Sequence, residues 1–448
     1  MRPILVAFII IVAWSWSITA QLSNTGAAAH IGSQVVAQYL LGFLIMFLVW
    51  RKLELGLTHK DITLILLTGL FARLVLVFVE PYTSNDVARY LFDGRILLEG
   101  IDPYRVAHDA PTLQELRAQW QPPAEHAKYP TLYPPLALAL YSLTATFGAT
   151  DALLVWKVIT SLASLSLYYL AYQFLKSTQR LALLPLIALN PLLIFEAGES
   201  AHIDVFSALA VMAAIYAWHL QRKLLTGVFI GLGASIKILP MILLLPLWFW
   251  LDNTRDRIIL VVSASMACLS IYSIALLSGL RPIGSLGVFF AKWRASSPWF
   301  HWFEPILGHS GMLIATAIAA LFGLLILAIA AYLARNRDID QKLLILQCSL
   351  ALPLLISPVV FPWYLLPIAV LFALRPNWLI ALWMVTLSLS YQVLNQFLCC
   401  GVWSPAQWSV NLIGVSLIVG IFLSIARARS VRQQDKKLMK TELRRNFY

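Results

Sequence analysis

Asp86, Arg89, Tyr90, Asp93 and Arg95 stand within ten residues of one another in the longest polar stretch of an otherwise very apolar chain. A carboxylate just past the end of a membrane helix can serve as a general base: partial desolvation raises its proton affinity, and the nearby Arg89 lowers it. In a helix, Asp86, Arg89, Tyr90 and Asp93 share one face at spacings of three and four. That face is equally what a surface ion-pair ladder looks like. Ser84, Asn85 and Asp86 are also all good N-caps for a helix over residues 87–100, so the cap stands beside the base as a reading of Asp86.

Three further groups have types that could do chemistry. Glu196, Glu199, His202 and Asp204 fall within nine residues where one apolar run ends and the next begins. Ionisable groups at membrane depth are costly and mark functional sites, whereas in an aqueous loop that inference disappears. His202 with these carboxylates is too thin a pattern for a metal site, and no metal is expected. Lys237, in the run Ser235-Ile-Lys-Ile-Leu-Pro240, sits between two half-helices. It could hold a phosphate by its charge and an exposed helix end, or snorkel to the interface. Lys292, Trp293, Arg294, Trp299, His301 and Trp302 mix cations with indoles, as an aromatic belt does; contact with a lipid phosphate or a sugar face is the alternative. Trp363 and Tyr364 of Phe361-Pro-Trp-Tyr are open to both readings.

The elements that must position these residues are membrane helices. Only 12% of the 448 residues are charged and 60% are hydrophobic. A spanning helix needs about 20 apolar residues, so the expectation is an all-α polytopic membrane protein of about 12–14 transmembrane helices. The polar stretch from Glu80 to Pro134 holds eight of the 21 acidic residues and reads as one long external loop bearing short interface helices. The net charge of +12 does not imply nucleic acid. It concentrates in residues 427–448, where Arg427, Arg429, Arg432, Lys436, Lys437, Lys440, Arg444 and Arg445 follow the last span as a cytoplasmic anchor. The four cysteines form no CxxC or Cys/His pattern, and adjacent Cys399 and Cys400 suit an ordinary disulfide poorly. Residues 4–20 resemble a signal peptide with a cleavage site after Ser17-Ile-Thr-Ala20; retention as the first span is the expectation.

Lysines and arginines in short connections set the sides. Arg51, Lys52 and Lys60 lie inside, so residues 62–79 deliver the loop 80–135 outside, and Lys176 and Arg180 lie inside again. Residues 135–147, about 20 Å of helix, are re-entrant or lie in the interface. Residues 224–251 run between two inside clusters and must cross twice or dip and return, broken at Pro240. A second external loop spans residues 279–310, and both termini are cytoplasmic. This topology makes residues 1–426 one transmembrane domain. It also brings the acidic loop, Glu196 to Asp204, Lys237, Lys292 to His309 and Phe361 to Tyr364 to one outer face.

Asp86-Val-Ala-Arg-Tyr90, Asp93-Gly-Arg95, Gly100-Ile-Asp-Pro-Tyr104 and Tyr129 to Pro135 resemble the first external loop of C-type glycosyltransferases, specifically the bacterial family-87 and related mannosyltransferases. Asn190-Pro-Leu with Glu196 and His202-Ile-Asp204, then Gly231 to Pro240, then Ser357-Pro with Pro362-Trp-Tyr364, resemble later family segments in the same order. Two features depart from the pattern: Asp102 stands where asparagine is usual, and a hairpin over residues 4–50 precedes the span leading into the loop. The resemblance implies a GT-C bundle and inverting transfer of a sugar, most often mannose. The donor would be a polyprenyl phosphate in the bilayer, the acceptor a glycan or glycolipid hydroxyl, and the active site extracytoplasmic. In it Asp86 is the general base, and Arg89, Tyr90, Asp93, Arg95, Tyr104, Tyr133, Glu196, His202, Asp204, Lys237, Lys292, Trp363 and Tyr364 are candidates for substrate binding, with no cofactor. The other readings are a lipid-linked sugar transporter or flippase, suggested by the broken helices, and a ligase or polymerase of lipid-linked glycans on the same fold.

Overall fold

The computed structural model describes residues 1–125 and 127–445, and all their side chains except those of residues 25, 428 and 431–445. Among these residues 76% are helical and there is no strand, only an isolated bridge between Ala295 and Val359. Among the described residues nine helices are long and apolar enough to cross a membrane: Arg2–Thr19, Ile31–Glu54, His59–Phe78, Gly148–Ser177, Leu181–Gly198, Thr254–Leu277, Pro298–Leu333, Trp378–Cys400 and Gln407–Arg427. Five more apolar helices are shorter: Pro135–Ala145, Asp204–His219, Lys223–Ala234, Leu239–Phe249 and Pro362–Leu374. The protein is thus an all-α polytopic membrane protein. The basic tail expected beyond Arg429 falls on side chains outside the described residues.

Local chemistry explains most boundaries. Helix starts carry side-chain caps, with Thr58 accepting from Asp61 N–H, Asn190 from Leu192, Asn253 from Asp256 and Asn377 from Ile380. Proline occupies the first turn of Pro135–Ala145, Pro191–Gly198 and Pro298–Leu333, where its missing N–H costs nothing. Residues 224–251 do form two half-helices: Lys223–Ala234 ends at Ser235, and a 3-10 turn Leu239–Leu243 containing Pro240 leads into Leu244–Phe249. The segment 279–310 is non-helical only before Pro298 and outside the short helix Leu286–Lys292. From Pro298 it is helix, bent at Gly308 (φ 67°), which takes a backbone conformation that glycine adopts without strain.

Leu366–Leu374 is buried along its whole length and packs on Asp204–His219, which in turn packs on Gly148–Ser177 and Lys223–Ala234. Apolar side chains of Thr254–Leu277 and Pro298–Leu333 are instead mostly exposed, as lipid-facing helices require. The N-terminal helix Arg2–Thr19 packs on the helices beginning at Ile31 and His59, burying Leu5, Phe8, Val12 and Ile18. One intramembrane cation is wholly structural: Arg73 donates to the carbonyls of Gly69, Ala188 and Ile187 and to Ser164, under the ring of Tyr168.

Candidate active site

The loop that carries Asp86 is pinned before it becomes a helix. Glu199, fully buried, accepts from Tyr82 N–H at 2.6 Å, Ser200 Oγ at 2.7 Å, and Thr83 N–H and Oγ1 at 3.3 Å. Lys157 reaches the Val79 carbonyl on the same stretch. The helix Asp86–Leu98 then starts with Ser84 Oγ accepting from Asp86 N–H at 3.1 Å, while Asn85 makes no side-chain cap bond. The capping work therefore falls to Ser84, and the Asp86 carboxylate remains free of it.

The helix is seated on Pro135–Ala145 at Gly94. A Cβ there would meet the Tyr141 carbonyl carbon at 2.3 Å, so only glycine allows this approach. Tyr90 stacks on Tyr141 at 4.7 Å, and Tyr133 meets Tyr90 edge-on at 5.0 Å. Farther along, Asp93 is fully buried between His108 Nε2 (2.6 Å) and Thr131 Oγ1 (2.7 Å), a latch that closes the loop on itself. Tyr104 O–H donates to the Tyr133 carbonyl at 2.9 Å. Asp102 accepts from Tyr104 N–H at 3.0 Å and from Arg281 N–H at 3.1 Å, joining the first loop to the second.

Between this loop and the membrane helices lies a cavity of about 1370 Å³. Asp86, Arg89, Tyr133, Lys237, Lys292, Trp363 and Tyr364 line it. The convergence expected from the charge pattern is present, drawn from segments up to 278 residues apart along the chain. Lys237 is brought there by the broken hairpin, whose turn is tied to the loop by Leu136 N–H donating to the Ser235 carbonyl at 3.2 Å. Trp363 and Tyr364 are brought by the residue 357–360 backbone, which pairs with Ala295 of the second loop. Asp93, Arg95 and Tyr104 do not line the cavity: Asp93 is spent in the latch, Arg95 pairs with Glu99, and Tyr104 braces Tyr133. Tyr90 lies behind Asp86, its hydroxyl 3.4 Å from Oδ2.

Glu196, His202 and Asp204 form a buried layer beneath the cavity. Lys237 pairs with Asp204 at 2.5 Å and lies 3.9 Å over the Tyr364 ring. His202 stacks on Trp363 at 3.9 Å, with Nε2 3.9 Å from Asp86 Oδ2 and Nδ1 3.1 Å from Glu196 Oε2. The latter contact is too oblique to be a hydrogen bond in this geometry, so it is an ion-pair contact. Burial works against a charged His202, but Glu196, Asp86 and Asp204 outweigh it and raise its pKa above the ordinary histidine value. Among the described residues no three histidine, cysteine, aspartate or glutamate side chains are grouped to hold a metal ion.

Two features of the site have no signal in the local sequence. Tyr39 and Tyr391, from distant apolar segments, both donate to Glu196 Oε1, at 2.6 and 2.5 Å. Leu394, Phe397, Leu398, Gly401 and Trp403 form an apolar wall of the cavity. Between Leu398 and Gly401, Cys399 and Cys400 are joined as a vicinal disulfide, closed across a single peptide, where adjacency had argued against an ordinary one.

Residues 5–252 match the family described as alpha-(1->6)-mannopyranosyltransferase, N-terminal domain, and residues 131–390 match glycosyltransferase family 87. Among curated proteins and among solved structures no significant match is found. Each family match covers more than half of the chain, and the two overlap across the buried layer and the broken hairpin. With a polytopic helical bundle and a loop-roofed cavity on the page, the chain belongs to glycosyltransferase family 87 and is a mannosyltransferase of the GT-C type.

Proposed function

We propose that the protein transfers mannose from a polyprenyl-phosphate donor to a glycan or glycolipid hydroxyl at the extracytoplasmic face, with inversion and without a metal ion or cofactor. Asp86 takes the proton of the acceptor hydroxyl as that oxygen attacks the anomeric carbon. The bond to the lipid phosphate breaks, and its electron pair leaves with the phosphate. Lys237 and Lys292, both on the cavity wall, face the charge that develops there. Inversion to the α-(1→6) product named in the first family match requires a β-linked donor.

The observation that carries the reading is Asp86 itself: a carboxylate 30% exposed, on the wall of a 1370 Å³ cavity, relieved of capping by Ser84. The donor's prenyl chain stays in the bilayer while its head group enters between the loop and the spans. The lysines and arginines of the inner connections orient both termini to the cytoplasm and the loop to the outer side of a bacterial inner membrane or its equivalent.

The test is sugar transfer by purified protein in detergent, using radiolabelled decaprenyl-phosphate mannose and a mixed glycan acceptor pool. Wild type is compared with Asp86→Asn, with and without EDTA. Transfer that survives EDTA and falls about 100- to 10,000-fold in Asp86→Asn is the expected result. Undiminished transfer by Asp86→Asn would remove the base assignment. Transfer only from a nucleotide sugar would remove the donor.

A further inference from the structure

One imidazole joins Asp86 to a buried carboxylate that no substrate reaches. Glu196 and His202 are both fully buried. Glu196 offers Oε1 to the hydroxyls of Tyr39 and Tyr391 and Oε2 to His202 Nδ1. Two phenol donors fix that carboxylate in place in an apolar surrounding. The ring of His202 cannot swing away: it lies on Trp363 at 13° between planes, with Phe361 stacked on the other face of that indole at 4.5 Å. The backbone N–H of His202 donates to the Glu196 carbonyl at 2.8 Å. Neither ring nitrogen has a hydrogen-bond partner: Nδ1 makes the ion-pair contact with Glu196, and Nε2 lies 3.9 Å from Asp86 Oδ2.

Arg89, on the same helix as Asp86, donates to the carbonyls of Tyr129 and Pro130. Lys237 is committed to Asp204, the third carboxylate near His202. Tyr90, Tyr133 and Tyr364 also lie near Asp86, and none carries positive charge. With Asp204 paired to Lys237, His202 sits between the carboxylates of Glu196 and Asp86.

We propose that His202 is a positioning residue of the transfer reaction, a cation held by Glu196 that keeps Asp86 ionised and turns its free oxygen toward the acceptor hydroxyl. The inference rests on Asp86 being the base. In the step itself the acceptor O–H bond breaks and its proton goes to Asp86. The new oxygen–carbon bond forms as the carbon–phosphate-oxygen bond breaks, and His202 keeps its own proton throughout. Before each turnover, His202 ensures that Asp86 is a carboxylate able to take that proton. The raised pKa of His202 agrees with this role.

The readout is the pH profile of kcat and kcat/KM for mannosyl transfer from decaprenyl-phosphate mannose, in wild type, His202→Gln, Glu196→Gln and Asp86→Asn. Removing a cation about 4 Å from Asp86 moves the acid limb of kcat/KM upward by about one to three pH units. His202→Gln is therefore poorest at low pH and recovers as pH rises, with KM for the donor changed less than about threefold. Glu196→Gln moves the limb in the same direction, because the imidazole then holds its proton less firmly; it carries the test alone if His202→Gln does not yield folded protein. A rate lowered equally at every pH, with the acid limb in place, overturns the proposal and leaves His202 a packing residue. Full activity of Asp86→Asn instead overturns the base assignment on which the inference stands, whatever His202 does.

Discussion

Glu199 is the residue through which the membrane core dictates where Asp86 stands, and replacing it tests that claim. Glu199→Gln keeps the shape and one carbonyl oxygen. Measured above pH 7, because burial raises the Glu199 pKa to about 7, it removes the charge behind two short bonds, to Tyr82 N–H at 2.6 Å and Ser200 Oγ at 2.7 Å. A hydrogen bond to a charged group contributes about 1.5–3 kcal/mol and a neutral one about 0.5–1.5, so about 1 kcal/mol is lost at each. The amide also presents a donor toward Ser200 and Thr83, whose hydroxyls must turn, and Lys157 loses a nearby carboxylate. The sum is about 2–4 kcal/mol. Scaled at about 2.1 cal/mol/K per residue over the 448 residues, the melting temperature in detergent falls by about 2–4 °C. Activity falls further, because Tyr82 and Thr83 lie only four and three residues before Asp86, and a shift of about 1 Å in a reacting group can cost about 100-fold. The assay pairs thermal unfolding with mannosyl transfer, and Glu115→Gln, on the exposed face of the loop, is the control. If Glu199→Gln matches that control in both measurements, the loop is not held from below and the argument fails.

Three further outcomes are expected. Tyr39→Phe and Tyr391→Phe each remove a hydrogen bond to the Glu196 carboxylate and lower stability by about 1.5–3 kcal/mol. Because both use Oε1, the double variant departs from the sum of the singles, which thermal unfolding of all three proteins would reveal. Gly94→Ala drives a Cβ to 2.3 Å from the Tyr141 carbonyl carbon, costing about 3 kcal/mol or more; normal yield and melting temperature would contradict the seating of the loop helix. Asp102→Asn leaves donor preference unchanged in a sugar competition assay, because Asp102 binds Tyr104 and Arg281 backbone and does not line the cavity. Its cost is about 1 kcal/mol of stability, from an amide facing the Arg281 N–H.

Composition alone determines the membrane class, since runs of apolar residues this long have no other low-energy environment. Charge in the short connections was enough to bring the loop, Lys237, Lys292 and Trp363-Tyr364 to one side, because the cost of moving lysine or arginine across a bilayer is local and readable. Pro240 likewise announced the broken hairpin, a proline being unable to continue the helix. What the sequence could not decide is which of the loop's polar residues face the cavity. Asp86, Arg89, Tyr90 and Asp93 share helical spacing, yet Asp86 and Arg89 line the cavity while Asp93 is sealed against His108 and Tyr90 stacks on Tyr141. That division depends on what packs against each side of the helix, and Gly94 sets it by admitting Tyr141 at close range. The support of His202 is equally a tertiary matter. Tyr39 and Tyr391 meet at one oxygen of Glu196 from segments 352 residues apart, and a tyrosine in an apolar run carries no local mark of the carboxylate it will find. Periodicity and charge are properties of neighbours along the chain; the environment of a buried carboxylate is a property of neighbours in space.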